Sequence, residues 1–387
     1  MTGPADFTVV VPPPPDGATR GRVGRLALPH GVVDTPAFMP VGTNATVKAL
    51  HPDDLREVGA EIVLANTYHL YLRPGHERIQ RLGGLHEFMG WDRPILTDSG
   101  GFQVVSLGDL RTIDDGGVTF RSHLDGSIHR LTPESAVGIQ EALGSDIAVA
   151  LDQPVPPAST DARSLADATA RTHRWAARCI EARHRPDQAL FGVIQGGLDP
   201  DLRVESTHAI ASLPFDGLNI GGLAGDETLE QRNAVLDVVV PLLADDPRPR
   251  YLMGLGSPLD LVDAVDRGVD MFDSVLPARV ARNGQLWVPG GRLNMKNAEM
   301  LDDPRPVQED CGCLLCRGFS RAYLAHLFRA KELLAYRLAT CHNLTFTLEF
   351  MARIRRSIEA GTFPADAPAL RARAPRMGRH ASVAKSA

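Results

Sequence analysis

Cysteine is scarce in this sequence of 387 residues, and both long apolar runs and a strong net charge are absent. The five cysteines are odd in number, with Cys179 and Cys341 apart from three that cluster, which makes a poor disulfide framework. Such usage is more typical of a metal site in a reducing compartment. No apolar run approaches the roughly 20 residues of a membrane span. The N-terminus also lacks the charged and apolar regions of a secretion signal. We therefore expect a cytoplasmic protein.

Charge also limits the choice of partner. The chain holds 41 Lys and Arg against 47 Asp and Glu, a formal net charge of −6, so bulk charge does not indicate a nucleic-acid partner. The exception is residues 353–387, where eight basic residues stand against two acidic ones. A solvated, disordered tail is at least as good an interpretation of the last ten residues as a phosphate-binding segment.

No Gly-x-Gly-x-x-Gly motif follows the first apolar run, which counts against a dinucleotide-binding fold. Instead, short apolar runs alternate with helical stretches. Thr132 with Pro133 can begin one helix, which ends at Gly144, and Ser257 with Pro258 can begin another. Eight such units predict an α/β fold, a closed (β/α)₈ TIM barrel. The predicted strands are residues 36–41, 61–66, 94–98, 146–152, 190–195, 215–221, 250–254 and 271–275.

The same patterns divide the chain into four regions. These are an extended lead-in over residues 1–20, a barrel catalytic domain over 21–300, a helical subdomain with the cysteine cluster over 301–360, and a basic, flexible tail over 361–387. Two inserted hairpins interrupt the alternation of strands and helices. One is predicted to turn at Asp125-Gly126, and the other at Asn283-Gly284.

Most predicted strands end in a polar residue or a glycine pair. In such a barrel the C-terminal strand ends line the active site, so these tips should meet. A single Asp there often only caps the next helix, but three Asp and one Gln together favour chemistry. One carboxylate can attack an acetal-like carbon while another moves a proton, and the remaining Asp and Gln can bind a planar heterocycle. The tips are Asn66, Asp98, Asp152, Gln195, Gly221-Gly222, Met253-Gly254 and Asp273.

The clustered cysteines predict a structural zinc site. Cys311, Cys313 and Cys316 offer three thiolates, and His342 offers an imidazole, which together make a closed tetrahedral ligand set. Cys341 is the alternative fourth ligand, and we favour His342 because Cys341 more plausibly points into the helix packing. A closed site leaves no open position for catalysis, so we assign one zinc ion per subunit to the fold.

Taken together, several segments resemble the tRNA-guanine transglycosylases, most closely the bacterial enzymes of queuosine biosynthesis. The match runs from about residue 20 to residue 360 in the right order, and the zinc pattern belongs to it. The segments are Val41-Gly42-Thr43-Asn44-Ala45-Thr46-Val47-Lys48, Asn66-Thr67-Tyr68-His69-Leu70, Thr97-Asp98-Ser99-Gly100-Gly101-Phe102-Gln103, Gln195-Gly196-Gly197, Gly221-Gly222-Leu223, and Phe272-Asp273 through Arg282-Asn283-Gly284.

The resemblance implies a pentosyltransferase that exchanges guanine at the wobble position of tRNAs with a G-U-N anticodon for a 7-deazaguanine, either the aminomethyl base preQ1 or queuine. The family stores the glycosidic-bond energy in an aspartyl ester, so neither ATP nor a redox cofactor is expected. Bacterial members form homodimers through the zinc region. We therefore expect tRNA, a free base and a second subunit as partners, and no membrane.

By motif match, the resemblance also implies roles for individual residues. Asp273 would be the nucleophile on the ribose C1′, and Asp98 the general acid and base. Phe102 and Met253 would enclose the flat base. Arg279 and Arg282 would contact the anticodon. The residues that would bind the base edge are Asp152, Gln195, Gly222, Leu223 and Glu227.

The sequence departs from its bacterial relatives at the fourth strand tip. Those relatives commonly carry Asp-Glu-Cys where this chain has Asp152-Gln153-Pro154, so both the acid and the thiol beside the pocket are replaced. The choice between preQ1 and queuine is therefore open. The segment Gly225-Asp226-Glu227 also departs slightly from the Val-Gly-Glu that is usual in the family.

Other classes of function agree less well with the sequence. A non-catalytic tRNA-binding partner subunit would lack the catalytic residues, whereas Asp98 and Asp273 are both present. An archaeal-type enzyme typically carries further RNA-binding domains. A DNA-directed deazaguanine transglycosylase is a third alternative, against which Arg279, Arg282 and the zinc pattern favour tRNA. A plain glycosidase would need water at the intermediate, which nothing in the sequence promotes.

Overall fold

The computed structural model describes residues 4–105, 111–155 and 161–375, and the chain begins there with an antiparallel sheet. Strand β1 (Asp6–Val11) pairs with β2 (Val23–Leu28), which pairs with β3 (Gly31–Thr35). The lead-in over residues 1–20 stays a prediction as a separate region; within it, β1 is extended and is paired with β2. Its exposed and half-buried residues alternate along the strand, as expected for an edge strand with one covered face.

This N-terminal sheet covers one end of the barrel. Leu26 and Val33 are fully buried against the apolar residues inside the barrel. Arg22, just before β2, donates two hydrogen bonds to the buried carboxylate of Asp270, at 2.9 and 2.7 Å. Because both partners of this bidentate ion pair are buried, removing either one would leave an uncompensated charge. The sheet is thereby fixed to the end of the barrel where the strands begin.

Eight parallel strands close into a barrel in the order β10-β11-β12-β13-β14-β4-β5-β6. All eight predicted apolar runs supply one strand each, which confirms the predicted (β/α)₈ barrel. Six of the strands are shorter than their runs, whereas β4 and β11 have the predicted length and are shifted by one residue. Their bounds are β4 (Ala37–Gly42), β5 (Val63–Ala65), β6 (Ile95–Thr97), β10 (Ile147–Val149), β11 (Ala189–Ile194), β12 (Gly217–Ile220), β13 (Arg250–Leu252) and β14 (Met271–Ser274).

Helices follow the barrel strands, and two of them match the predicted signals closely. The side-chain oxygen of Thr132 caps α6, which has Pro133 in its first turn and a left-handed Gly144 at its end. Ser257 caps α10 in the same way. The helix bounds are α1 (Pro52–Glu57), α2 (Thr67–Leu72), α3 (His76–Arg81), α4 (Gly84–Met89), α5 (Gly101–Val105), α6 (Pro133–Leu143), α7 (Ala162–Glu181), α8 (Pro200–Ala211), α9 (Leu229–Leu242), α10 (Pro258–Asp266) and α11 (Leu276–Arg282).

The first inserted hairpin is confirmed, and it belongs to a three-stranded sheet. Strand β8 (Gly117–Arg121) pairs with β9 (Ile128–Leu131), and Gly126 in the turn has φ +75. A further strand, β7 (Arg111–Asp114), pairs with the other edge of β8. The sequence analysis missed β7, whose four residues alternate between half-buried and exposed and contain a single aliphatic residue.

The second hairpin turns later than predicted. Helix α11 continues to Arg282, so Asn283-Gly284 ends this helix and does not form the hairpin turn. Strands β15 (Gln285–Val288) and β16 (Gly291–Asn294) pair instead around Gly290, which has φ +71. The prediction failed because an Asn-Gly pair suits a helix C-terminus as well as a two-residue turn.

Helices dominate the rest of the chain. After a 3₁₀ turn (Ala298–Asp302) come α12 (Leu314–Gly318), α13 (Arg321–Ala330) and α14 (Leu333–Glu359). The 27-residue α14 is shared: Leu338 and Ala339 belong to the apolar core around the cysteines, whereas Met351 and Ile354 belong to the barrel's outer core. The boundary at residue 300 stays a prediction, because this one helix spans both cores.

The predicted flexible tail begins with a packed helix, α15 (Phe363–Arg373). Phe363 is 1% exposed, and Arg371 forms ion pairs with Asp263 and Asp266 of α10. The tail over 361–387 stays a prediction: its first part forms this helix, which packs on α10, and residues 376–387 lie outside the described part of the chain. Among the described helices, none combines the length and apolar character needed to cross a membrane.

Candidate active site

The polar strand tips meet because they continue the inward faces of the barrel strands. Side chains on one face of a strand recur every two residues, and buried apolar residues of the barrel interior occupy the lower positions. Two residues beyond Leu64, Leu96, Val193, Tyr251 and Met271 stand Asn66, Asp98, Gln195, Met253 and Asp273, respectively. The predicted tips therefore form a layer on top of the apolar interior, at the C-terminal end of the barrel.

Asp98, which follows β6, is surrounded by hydrogen-bond donors. Its Oδ1 accepts from the backbone N–H groups of Thr67 at 2.9 Å and Gly100 at 3.2 Å. Its Oδ2 accepts from the side-chain amides of Asn66 at 2.5 Å and Gln103 at 3.3 Å. The four donors fix the orientation of the carboxyl group. Asn66, which the sequence analysis noted only as a strand tip, thus contacts the candidate acid directly.

The pKa of Asp98 is raised to about 7, because burial disfavours its charged form and the negative charge of Asp273 adds to this effect. The donors from Thr67, Gly100 and Gln103 oppose the rise but do not cancel it. A carboxyl that holds its proton up to neutral pH is suited to the role of a general acid.

We expect the Asp98→Asn variant to gain stability relative to the parent as pH rises. In the folded parent the carboxyl binds a proton up to pH about 7, whereas in the unfolded chain it releases the proton near its ordinary pKa of about 4. Folding therefore binds a proton between these values, and the parent loses up to about 4 kcal/mol of stability across this interval. Denaturant unfolding of parent and variant between pH 4 and 8 measures the difference.

The exposed Asp114 provides the matched control for this experiment. A hydrogen bond from Arg130 lowers its pKa, so its stabilising contribution is already complete above its unfolded pKa and is lost only at lower pH. The Asp114→Asn variant should therefore show a constant stability difference from the parent between pH 5 and 8. A constant difference for Asp98→Asn as well would mean that the Asp98 pKa is not raised.

Asp273, in β14, is 8% exposed and is held through one of its two carboxylate oxygens. Both the hydroxyl of Tyr251 and the backbone N–H of Gly254 donate to Oδ1, each at 2.6 Å. Oδ2 is left as the oxygen that can react. Burial raises the pKa of Asp273, and the two donors oppose that rise. The sequence analysis missed Tyr251, although its spacing of two residues from Met253 indicates the same inward face.

Asp152 and Gln195 form a second polar pair at the tips. Gln195 Nε2 donates to Asp152 Oδ2 at 2.7 Å, and both residues are at most 5% exposed. Burial raises the pKa of Asp152 to about 6, although the bond from Gln195 lowers it. The glycines of the next tip leave room for the amide: a Cβ on Gly221 would stand 2.7 Å from Gln195 Nε2, and one on Gly222 would stand 2.5 Å from Oε1.

The loop after β12 presents unused backbone donors. In the described part of the chain, neither Gly222 nor Leu223 donates its N–H to another protein group. The Leu223 side chain is fully buried, so only its backbone can meet a ligand. Glu227 is 7% exposed, and its Oε2 accepts from the N–H of Gly225 at 2.8 Å. This carboxylate therefore stabilises its own loop, beside the free donors.

The remaining predicted contacts lie around this layer. Phe102, on the short helix α5, is 55% exposed, and Met253 is half-buried at the end of β13. Arg279 and Arg282 are half-buried and lie one helical turn apart on α11. Burial lowers the pKa of both, and for Arg282 the charge of Arg279 contributes too. Two adjacent cations of this kind favour an anionic partner.

The predicted metal ligands come together in one cluster. The Sγ atoms of Cys311, Cys313 and Cys316 lie 3.7, 3.6 and 3.3 Å from His342 Nδ1. His342 Nε2 donates to the carbonyl of Trp287 at 2.8 Å, which fixes the tautomer and leaves Nδ1 free as a ligand. Their ligand atoms all lie within 4.8 Å of one another. The geometry thus favours His342, as predicted, for the fourth position.

A second group of possible ligands lies at the opposite end of the barrel. His30 and His86 contact the two oxygens of Asp146 at 2.8 and 3.2 Å. Their rings are stacked, with centroids 3.5 Å apart and an interplanar angle of 16°. In nearly parallel rings the nitrogen lone pairs run side by side and do not converge on one ion. Each ring instead hydrogen-bonds one oxygen of the buried carboxylate, which explains the group without a metal.

Comparison with known proteins agrees with this architecture. A family model described as Queuine tRNA-ribosyltransferase matches residues 16–376. A Queuine tRNA-ribosyltransferase of Symbiobacterium thermophilum is 55% identical over 90% of this chain and 87% of its own length. The proteins of that name from Herpetosiphon aurantiacus and Cereibacter sphaeroides are also 55% identical, over 87% and 88% of this chain and 86% and 91% of theirs. The chain belongs to the queuine tRNA-ribosyltransferase family.

Proposed function

We propose that this protein exchanges guanine in the anticodon wobble position of G-U-N tRNAs for a 7-deazaguanine, as a pentosyltransferase of queuosine biosynthesis. The observation that carries the proposal is the pair Asp98 and Asp273, which lie on inward faces at the C-terminal end of the barrel and are close enough for the charge of Asp273 to raise the pKa of Asp98. Family membership supports the choice of tRNA and a modified guanine as substrates.

Asp273 is the proposed nucleophile. Its Oδ2 attacks the ribose C1′ as the bond from C1′ to the guanine nitrogen breaks, and the electron pair of that bond leaves with the base. Tyr251 and Gly254 hold Oδ1, so they orient the attacking oxygen without blocking it. The product is a ribosyl ester of Asp273, which keeps the tRNA covalently attached.

Asp98 is the proposed general acid and then base. It gives its proton to the departing guanine and becomes a carboxylate that Asn66 and Thr67 stabilise by hydrogen bonds. The incoming 7-deazaguanine loses its ring N–H proton to this carboxylate and attacks C1′, which releases Asp273. A pKa of about 7 suits both transfers, because proton donor and acceptor forms are then similarly populated at neutral pH.

The base-binding residues follow from the same layer. The Asp152 carboxylate can accept from the N–H edge of guanine, and Gln195, already bonded to it, can bind the neighbouring edge. The free N–H groups of Gly222 and Leu223 can donate to the carbonyl oxygen of the base. We assign Glu227 to holding this loop. Phe102 and Met253 are proposed to enclose the flat ring from its two faces, as for a base taken out of its stack.

Arg279 and Arg282 are the proposed contacts to the anticodon. Both follow the nucleophile on α11, and their neighbouring charges attract the phosphates that flank the reacting nucleotide. This local charge allows a chain with a net charge of −6 to bind tRNA.

Zinc is the metal that we propose for the cysteine cluster. Three thiolates and one imidazole are its usual structural ligands, and tetrahedral zinc with ordinary bond lengths separates sulfur from nitrogen by about 3.6 Å. The separations of 3.3 to 3.7 Å between His342 Nδ1 and the three Sγ atoms fit this value. When bound, the ion would crosslink α12, its preceding loop and α14, with no catalytic part.

We also propose that two subunits pair through the helical region near the metal cluster. Phe319, Tyr323 and His326 form a row of stacked rings, and Tyr323 is 39% exposed. Leu333, at the start of α14, is 80% exposed and presents a further apolar side chain in this region of the sequence. Light scattering should give twice the chain mass, and Tyr323→Ala should shift it toward the monomer. A monomeric parent would contradict the pairing.

The preferred base depends on the surroundings of Asp152. Gln153 Oε1 accepts from Arg171 on α7 at 2.7 Å, and its backbone N–H donates to Thr172 at 3.1 Å. The Gln153 side chain is therefore engaged with α7, and Pro154 is buried. These contacts do not distinguish preQ1 from queuine, so both are candidate bases.

The test is base exchange in vitro, with cytoplasmic G-U-N tRNA carrying radiolabelled guanine as the substrate. Loss of label on adding preQ1 or queuine, measured separately, is the expected result and identifies the base. The control is the same tRNA with another nucleotide at the wobble position, which should keep its label. Exchange only in DNA would favour the DNA-directed alternative, and no exchange with either base would favour the partner-subunit alternative.

A further inference from the structure

Arg203, on α8, carries a buried guanidinium that the proposed mechanism does not yet use. Its exposed fraction is 0%, and within the described ranges no carboxylate forms an ion pair with it. Its three donor nitrogens all bind backbone carbonyls instead: Nε binds Gly197 at 2.8 Å, Nη1 binds Ile194 at 2.9 Å, and Nη2 binds Gly221 at 2.9 Å. Burying a charged group away from water is unfavourable, so a buried cation of this kind implies a specific role.

The three carbonyls belong to two neighbouring strand tips. Ile194 and Gly197 flank the tip that carries Gln195, and Gly221 begins the tip with the unused donors. The Ile194 carbonyl also accepts from the N–H of Gly221 at 3.1 Å, so a single oxygen joins both tips to the guanidinium. The planar, five-donor guanidinium suits such a junction, because its donors diverge in fixed directions.

Peptide geometry connects Arg203 to the base. The peptide between Gly221 and Gly222 is trans, so its carbonyl and its N–H point in opposite directions. The Gly221 carbonyl points towards the guanidinium of Arg203 on α8. The Gly222 N–H must therefore point away from α8. That N–H is one of the two donors without a protein partner. Gly222, at φ +74, has the conformational freedom that allows this turn.

We propose that Arg203 is a positioning residue for base recognition, which holds the Gly221 carbonyl and thereby aims the Gly222 N–H at the carbonyl oxygen of the bound base. The inference rests on the proposed function, because it assumes a 6-oxo purine analogue in the pocket. Without the guanidinium, the peptide is free to rotate, and the donor is no longer held in place before the base arrives.

The test compares two free bases, 7-deazaguanine and 2-amino-7-deazapurine, the second of which lacks the 6-oxygen and, with it, the proton on the neighbouring ring nitrogen. The contact of Asp152 with that proton is the same in parent and variant, so a change in preference between the two proteins reports on the contact with the oxygen. Their dissociation constants are measured by calorimetry on the full, metal-loaded protein. The parent should bind the 6-oxo base more tightly. In Arg203→Met this preference should fall by about tenfold, the usual effect of losing one well-placed hydrogen bond. An unchanged preference in Arg203→Met would overturn the inference.

Arg250→Met is the matched control. Arg250 is also buried, at 3% exposed, and also donates to backbone carbonyls, those of Leu243 and Gly268, but it lies where β13 begins, at the opposite end of the barrel. Its loss should lower the melting temperature and leave the preference between the two bases intact. If Arg250→Met reduced the preference equally, Arg203 would have only a general structural effect, and the inference would fail.

A second variant covers the case in which Arg203→Met does not fold. Arg203→Lys keeps a cation that can bind one carbonyl, so it should fold and lose part of the preference; retention of the full preference would overturn the inference. If the parent binds neither base, the proposed function itself is contradicted. If the parent binds and discriminates between the bases and the Arg203 variants discriminate equally well, only the role of Arg203 is contradicted.

Discussion

Asp273→Asn is expected to slow base exchange by about 10⁴-fold or more, since a reaction that depends on its nucleophile loses most of its acceleration with it. The asparagine has the same shape, and its amide oxygen can still accept from Tyr251 and Gly254. The fold should therefore survive while the reactive oxygen is replaced by an amide nitrogen. Exchange of radiolabelled guanine, together with a denaturing gel that detects the covalent tRNA adduct, measures both effects.

Tyr251→Phe is the matched control for the nucleophile. It removes one donor from Asp273 Oδ1 and leaves the carboxylate, the N–H of Gly254 and the aromatic ring in place. We expect a loss of about tenfold in rate, with the adduct still formed. A covalent adduct trapped with Asp273→Asn would move the nucleophile to another residue, and the proposed mechanism would then be wrong.

Loss of a metal ligand is expected to have the largest effect on stability. Three thiolates remain in His342→Ala, and two thiolates with the imidazole remain in Cys316→Ser. Either set fills only three positions of a four-coordinate site, so metal binding should be lost or greatly weakened. Because metal binding and local folding are coupled, the cost should reach several kcal/mol. Metal content by mass spectrometry, and thermal unfolding with and without a chelator, provide the measurements.

Cys341→Ala tests whether that effect is specific. Cys341 precedes His342 in α14, is 2% exposed, and stands outside the four-residue ligand cluster. Burial raises the pKa of its thiol to about 12, as expected for an inert core cysteine. The variant should keep one metal ion per chain and lose only packing. Full metal content in His342→Ala, or its loss in Cys341→Ala, would reverse the ligand assignment.

The barrel can be predicted from the sequence because its signals are local. Each strand has its own apolar run, and helices such as α6 have their start and stop residues within a dozen positions. The tip rule then follows from topology, since parallel strands present their C-terminal ends together. The rule predicts that these tips come together, and the structure places Asp98 near Asp273 and joins Asp152 to Gln195 by a hydrogen bond.

What the sequence could not provide depends on contacts between distant segments. Strand β1 is recognisable only from its pairing with β2, and a proline-rich stretch separates the two strands in the sequence. Helix α15 contains Pro368 and acquires its stability from α10, more than 90 residues earlier. Arg203 looks like an ordinary helical arginine, because the three carbonyls that it binds are defined only after two strand tips have been placed side by side.

The sheet that covers the lower end of the barrel restricts how bases enter and leave the active site. Leu26 and Val33 pack against the apolar interior of the barrel at that end, so a base can reach the strand tips only from the opposite end, where the proposed tRNA must also lie. The outgoing guanine and the incoming base must therefore pass through the same entrance in turn, while the nucleic acid stays attached. The first base has to leave before the second can enter, and a high concentration of guanine refills the vacated pocket and drives the exchange backwards.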